Sequence, residues 1–229
     1  NYLKYPNKVI ISENNKSLTW KELINCSLYY SLKFSKIKTK YVPIIINRNL
    51  ETIIVILALV LSNKVFCPIS SAIPTRKRKI ILKLLKTKHL IDCSKIRVLK
   101  EIKEDKKNNS INIKKKLIKN NLIDEFYVLF TSGSTGDPKG VKLSYENILN
   151  TIIWSRNYIS WNKNDKIGIA TQFSFDLSIF DLFTGLFLNV PMFIFSDPKN
   201  PIQSIKEINK KKITSILSVP VFFFKFLSI

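Results

Sequence analysis

The chain has 229 residues, 45% hydrophobic and 11% aromatic, with 38 basic against 16 acidic side chains and a formal charge of +22. That length and apolar content allow a sizeable core and exclude general disorder, while the longest apolar run, nine residues at 53–61, falls short of the roughly 20 that a membrane-spanning helix needs. Arginine, the better reader of phosphates and bases, supplies only five of the 38 cations, and the aromatics sit in apolar runs. The lysine excess therefore reads as A/T-rich coding bias, and no specific nucleic-acid partner is expected.

The first residues, Asn1-Tyr2-Leu3-Lys4-Tyr5, show neither an initiating Met nor an apolar signal core, as in a segment of a longer chain without a secretory peptide. A short strand is predicted over 9–12, a turn over 13–16, and a helix opening at Thr19-Trp20-Lys21-Glu22, which has the form of a capping box. Leu23, Ile24, Leu28, Leu32 and Phe34 form its apolar face. Strands over 41–46, 64–69 and 89–92 then alternate with helices over 49–61 and 74–86. That alternation predicts an α/β fold of parallel-rich sheets covered by helices. Asn63 suits a left-handed helix end. Cys26, Cys67 and Cys93 are far apart in sequence and the only histidine is His89, so neither a disulfide framework nor a zinc site is expected. Buried free thiols in a reducing cytoplasm are the plain expectation.

Residues 100–121 are rich in Lys, Asn and Glu and read as a charged connection. It divides a first portion, 1–121, from a second, 122–229. The second portion opens on a buried strand at 127–130, which leads into Thr131-Ser132-Gly133-Ser134-Thr135-Gly136-Asp137-Pro138-Lys139-Gly140. Three of the chain's five glycines fall in these ten residues. Glycine lets the backbone approach a ligand closely, and successive N–H groups in such a turn form an anion nest to which a lysine adds charge. The chemistry this suits is polyphosphate binding. A P-loop is excluded by the spacing: four residues beyond Gly133 comes Pro138, and Lys139 is followed by Gly140 and the strand-like Val141-Lys142-Leu143.

Beyond the loop, Ser144 can cap a helix to about residue 159 that buries Ile148, Leu149, Ile152 and Ile153. A strand over 165–170 precedes the aromatic run 173–183, which carries Asp176 and Asp181. An acid among so many apolar side chains needs a partner. Asp176 can serve as the N-cap of a helix over 177–188, which is compatible with ligand binding. A strand over 192–195, a helix over 201–210 with Pro at its first turn, a strand over 213–217 and an apolar helix from Pro220 complete the chain.

The ten residues from Thr131 resemble the phosphate-binding signature of the adenylate-forming enzymes, the superfamily of nonribosomal peptide synthetase adenylation domains, D-alanine–carrier protein ligases, acyl-CoA synthetases and luciferases. Leu18-Thr19-Trp20-Lys21-Glu22-Leu23 and the stretch from Leu57 to Ile69 are similar to two further family motifs, the second more loosely. Phe175-Asp176-Leu177-Ser178 is similar to the Phe-Asp-x-Ser motif of the amino-acid-activating members, most of all D-alanine–carrier protein ligases. The resemblance covers the front part of the family's N-terminal region, so residues 1–229 are expected to be an incomplete AMP-binding region. It implies ATP and Mg²⁺ as cofactors, with the phosphates held by Thr131, Ser132, Gly133, Ser134, Thr135, Gly136 and Lys139. Asp176 would hold the substrate ammonium, and Leu177 and Phe180 would line its side-chain pocket. It assigns no catalytic residue within the chain. The implied reaction is activation of an amino acid, D-alanine or another small one, as aminoacyl-AMP for transfer to a phosphopantetheinyl carrier protein, completed by a C-terminal part of the same enzyme. An acyl- or aryl-CoA synthetase, and a non-catalytic remnant, remain alternatives.

Overall fold

The computed structural model describes residues 1–96, 124–132, 137–224 and 226. The charged connection at 100–121 lies outside the described residues, as do Gly133, Ser134, Thr135 and Gly136. The chain forms two compact units, one of Glu22–Asn147 and one of Asn1–Lys21 with Ile148–Ile229.

The contiguous unit is built on a five-stranded sheet. Its strands are β3 (Tyr41–Ile46), β4 (Val65–Ser70), β5 (Ile91–Asp92), β6 (Glu125–Ser132) and β7 (Pro138–Ser144), in the order β5-β3-β4-β6-β7. The first four run parallel and β7 closes the edge antiparallel to β6. Helix α1 (Trp20–Phe34) begins just before this unit, and α2 (Leu50–Leu61) and α3 (Thr75–Leu84) are its crossovers. From Leu50 to Leu59 all of α2 except Glu51 is buried, which is why its sequence is apolar all round. The strand predicted over 89–92 shrinks to β5, because only Ile91 and Asp92 pair with β3, opposite Ile44 and Ile45, while the His89 amide donates to Thr87 Oγ1 at 3.1 Å.

Asn49 starts α2 from an extended backbone, accepting from the Thr52 amide at 3.0 Å and the Thr52 hydroxyl at 2.8 Å. Thr52 is fully buried. An Asn49→Ala variant is expected to lose about 1–2 kcal/mol, the high end of a cap deletion because the stranded donors lie out of water. A lower urea midpoint at unchanged slope is the check.

The second unit holds the sheet β10-β8-β9-β1-β2, from β1 (Val9–Glu13), β2 (Lys16–Thr19), β8 (Ile167–Ile169), β9 (Met192–Ile194) and β10 (Ser215–Ile216). Hairpin β1–β2 turns at Asn14, whose φ is 50°, and β1 runs parallel to β9 with Ile11 opposite Met192. Its helices are most of α4 (Tyr145–Tyr158), with α5 (Asp176–Leu188), α6 (Pro201–Lys211) and α7 (Pro220–Phe224). The sequence division was drawn at 121/122, whereas the compact units divide at 21/22 and 147/148. The cause is the pairing of β1 with β9, a contact that no local pattern announces.

One further expectation shifts. In α4 only Ile152 and Ser155 are buried, while Leu149 and Ile153 are each more than two-fifths exposed and Ile148 is half-buried. The three thiols are free and buried, and burial pushes each up to about 12, so they are inert at neutral pH.

Candidate functional site

The residues singled out by sequence lie in two places, one in each compact unit. In the contiguous unit, β6 and β7 form a hairpin whose ladder runs from Glu125 opposite Ser144 to Ser132 opposite Pro138. Five of the ten predicted loop residues, Thr131, Ser132 and 138–140, are therefore strand. Thr131 pairs directly with Lys139, and both are exposed. The ladder thus delivers a hydroxyl and an ammonium side by side to the root of the glycine-bearing tip.

Gly140 changes meaning. It pairs with Phe130 inside β7, and a Cβ there would meet Val128 Cγ1 at 3.1 Å and the Phe130 ring at 3.2 Å. Its smallness makes room for the strand packing. Conformational freedom, the property for which a loop glycine is chosen, is not what this position uses.

The base of the hairpin is held by a group that sequence reading passed over. Glu125 accepts from the Tyr41 hydroxyl at 2.7 Å, and its oxygens pair with Lys40 at 2.7 Å and Lys142 at 2.8 Å. One carboxylate thereby ties β6 to β3 and to β7. The donors come from two distant segments, Lys40-Tyr41 and Lys142, so only the fold reveals the cluster. Bonds from Lys142, Lys40 and Tyr41, in that order, pull the Glu125 carboxyl down to about 2 and raise Lys142. A carboxyl depressed in the fold contributes stability that is whole above its unfolded value, near 4.5, and lost as pH falls through its folded value near 2. Glu125→Gln is expected to cost modest stability at neutral pH, because the pairs face solvent and are screened. Denaturation midpoints of the two proteins should converge between about pH 4.5 and 2.

In the other unit, α5 carries the Phe-Asp-Leu-Ser stretch. The N-cap is Phe175, so Asp176 is the first helical residue and not the cap. Its Oδ1 accepts from the Leu177 amide at 2.9 Å and the residue is exposed. The cap shifts by one because Ser178 takes over the turn: its hydroxyl lies 2.8 Å from both the Gln172 and Phe175 carbonyls. The motif's serine thus fixes the bend before the helix and leaves the Asp176 carboxylate outward. Leu177 and Phe180 are half-buried on the same helix.

The far end of α5 is anchored as firmly. Asn189 takes the left-handed conformation at φ 61° and its amide bonds Gly185 O. Trp20 Nε1 donates to Asn189 Oδ1 at 2.8 Å and Lys8 Nζ to Asn189 O at 2.6 Å. An exposed carboxylate on a helix pinned at both ends is suited to orienting a cationic group. The adjacent hydroxyl and ammonium of Thr131 and Lys139 are suited to anionic oxygens.

The chain is similar in sequence to known proteins. Gramicidin S synthase 1 of Brevibacillus brevis is 28% identical over 233 residues, covering 96% of this chain and 21% of that protein. The L-proline–[L-prolyl-carrier protein] ligase of Streptomyces coelicolor is 38% identical over 95 residues, covering 41% of this chain and 18% of the ligase. Among solved structures, the Vibrio cholerae adenylation domain AlmE, in complex with glycyl-adenosine-5'-phosphate, superposes with a TM-score of 0.84 at 19% identity. That overlay takes in 99% of this chain and 49% of AlmE. The o-succinylbenzoate CoA synthetase (MenE) from Bacillus subtilis, in complex with its acyl-adenylate OSB-AMP, gives 0.80 at 17% identity, over 99% of this chain and 62% of that one. At such identities the two overlays speak for the fold. The chain spans about a fifth of the two curated relatives' length. Over its own length the match is nearly complete, residues 2–228, and on that ground the chain belongs to the AMP-binding enzyme family.

Proposed function

We propose that the chain is the front part of an enzyme that uses ATP and Mg²⁺ to activate an amino acid as aminoacyl-AMP. The activated acyl group then passes to the phosphopantetheine thiol of a carrier protein, in the cytoplasm. The amino-acid carboxylate attacks the α-phosphorus of ATP and pyrophosphate leaves. Thr131, Ser132, Gly133, Ser134, Thr135 and Gly136 hold the β- and γ-phosphates, with Lys139 as a charge contact. Asp176 pairs with the substrate ammonium, and Leu177 and Phe180 bound its side chain. This is catalysis by positioning. Among the described residues no group of three or more His, Cys, Asp or Glu could hold a metal. Mg²⁺ in nucleotide sites is held largely by phosphate oxygens and waters with one or two carboxylates. The remaining adenylate-forming machinery, including the mobile C-terminal part, lies in segments of the relatives that this chain does not span.

The observation that carries the reading is Asp176, a carboxylate held exposed at the start of a helix within a Phe-Asp-Leu-Ser stretch. Support also comes from two relatives whose names concern peptide synthesis and a prolyl-carrier ligase. The test is amino-acid-dependent ATP–pyrophosphate exchange by the whole gene product, with pooled D- and L-amino acids. Exchange with one amino acid, D-alanine or another small one foremost, is expected. A folded protein that exchanges with none, or that exchanges only with carboxylic acids lacking an ammonium, overturns the reading.

A further inference from the structure

The unit of Asn1–Lys21 with Ile148–Ile229 contains a cavity formed by none of the residues assigned to ATP or substrate. It has a volume of about 320 Å³ and is lined by the β1–β2 turn, at Asn14 and Asn15, and by one face of α6. That volume falls within the range of small-molecule sites, about 300–1,000 Å³.

The α6 wall is cationic. Lys206 and Lys210 stand one turn apart, and Lys211 follows. The first two are exposed and make no ion pair or hydrogen bond among the described residues. Like charges at that spacing destabilise a helix. Lys210 and Lys211 fall in the last turn, where they suit the helix dipole, but Lys206 lies too early for that role. Lys211 Nζ donates to Asn14 O at 2.9 Å and lies 5.2 Å from the centre of the Phe193 ring, so it is fixed against the turn with an N–H to spare. Lys166 Nζ in turn donates to Lys211 O at 2.6 Å. Burial first, and then the Lys211 and Lys212 charges, pull Lys166 below the ordinary lysine range. Positive charge is crowded here.

The one acid on the lining does not answer it. Glu207 is 7% exposed, and its carboxylate accepts from the Ser196 amide at 3.2 Å, from the Ser196 hydroxyl and from Gln203 Nε2 at 3.1 Å. Its oxygens are committed within the fold. Three ammonium groups against that carboxylate leave the lining a formal charge of +2. The complement of such a lining is a compact dianion. Lysine binds phosphate as a point charge, and a phosphate monoester carries a charge of about −1.5 to −2 at pH 7.

We propose that this cavity binds a small phosphate monoester, with Lys206, Lys210 and Lys211 as its charge contacts. The phosphoryl group sits against α6 and the organic part against the Asn14–Asn15 turn. The site is separate from the glycine-bearing loop and does not rest on the amino-acid reading.

Calorimetric titration of the whole gene product compares phenyl phosphate with phenyl sulfate, which keeps the ring and lacks one negative charge. Phenyl phosphate is expected to bind about tenfold more tightly or better, and to weaken as salt rises. Equal affinities, or no binding of either, overturn the proposal. Variants then assign the place. Lys206→Gln/Lys210→Gln, which alters two exposed side chains, is expected to weaken phenyl phosphate binding about tenfold or more, whereas Lys139→Gln leaves it unchanged. The reverse pattern puts the phosphate on the glycine-bearing loop and refutes the site. Neither measurement reads amino-acid activation, so the failure of one reading leaves the other standing.

Discussion

Asp176→Ala is expected to lower amino-acid-dependent pyrophosphate exchange by about two to three orders of magnitude in kcat/KM while leaving the fold intact. Removing one partner of a close charge pair costs about 2–5 kcal/mol, and each 1.4 kcal/mol is tenfold. The structural cost is small by comparison. An exposed acid in a helix's first turn contributes about 0.3–1 kcal/mol through the dipole, and the turn is fixed by Ser178, whose hydroxyl lies 2.8 Å from the Gln172 and Phe175 carbonyls. Kinetics and stability therefore separate cleanly. Asp176→Asn sharpens the result, because it preserves size and polarity but deletes the charge. If the ammonium is the partner, Asn behaves as Ala. Exchange that survives both variants would show that the carboxylate has no ammonium to hold.

Phe66→Ala is expected to cost the contiguous unit about 3–5 kcal/mol, the range for emptying a fully buried phenylalanine site. Phe66 has no exposed surface. Its ring stacks on Tyr127 at 5.4 Å with an interplanar angle of 11° and meets Phe126 edge-on at 5.5 Å. Phe66 opposite Tyr127 is also the register pair that joins β4 to β6. The lost ring thus removes the packing that seats the β6–β7 hairpin on its sheet. Set against a typical total of about 5–15 kcal/mol, the loss leaves the unit near or below its folding threshold at 37 °C. Thermal melts and amide exchange of the β6 backbone read it out. Protection that persists along β6 in the variant would show that the hairpin is held chiefly by Glu125 and its cations.

Much of the fold was written in local pattern. Strand β3 has the bounds that its apolar run predicts, α2 begins one residue after Asn49, and Asn63 takes φ 57° at the helix end where its side chain suits that conformation. Ser144 caps α4 as its position suggested, accepting from the Asn147 amide at 3.1 Å. What escaped was non-local. The hairpin's extent depended on Pro138 pairing with Ser132, although Gly and Pro locally signal a loop. The role of Gly140 came from the Phe130 ring across the ladder. The Glu125 cluster draws cations from Lys40 and Lys142, about a hundred residues apart in sequence. In α4, the apolar spacing named Ile152 correctly but could not tell which neighbours the fold would cover. Asp176 was singled out by motif, yet that Ser178 and not Asp176 secures the turn required the atoms.

The pairing of Ile11 with Met192 sets an order of events on the ribosome. Residues Asn1–Lys21 emerge ahead of β8, β9 and β10, the other strands of their sheet, with all of Glu22–Asn147 in between. At about 5–20 residues per second, the leading hairpin waits on the order of ten to thirty seconds for β9. Meanwhile the inserted unit is already complete. A hairpin bearing Ile10, Ile11 and Leu18, all buried in the folded protein, is a substrate for chaperones during that interval. Synthesis rate across Glu22–Asn147 thereby becomes a determinant of yield that no contact in the finished protein records.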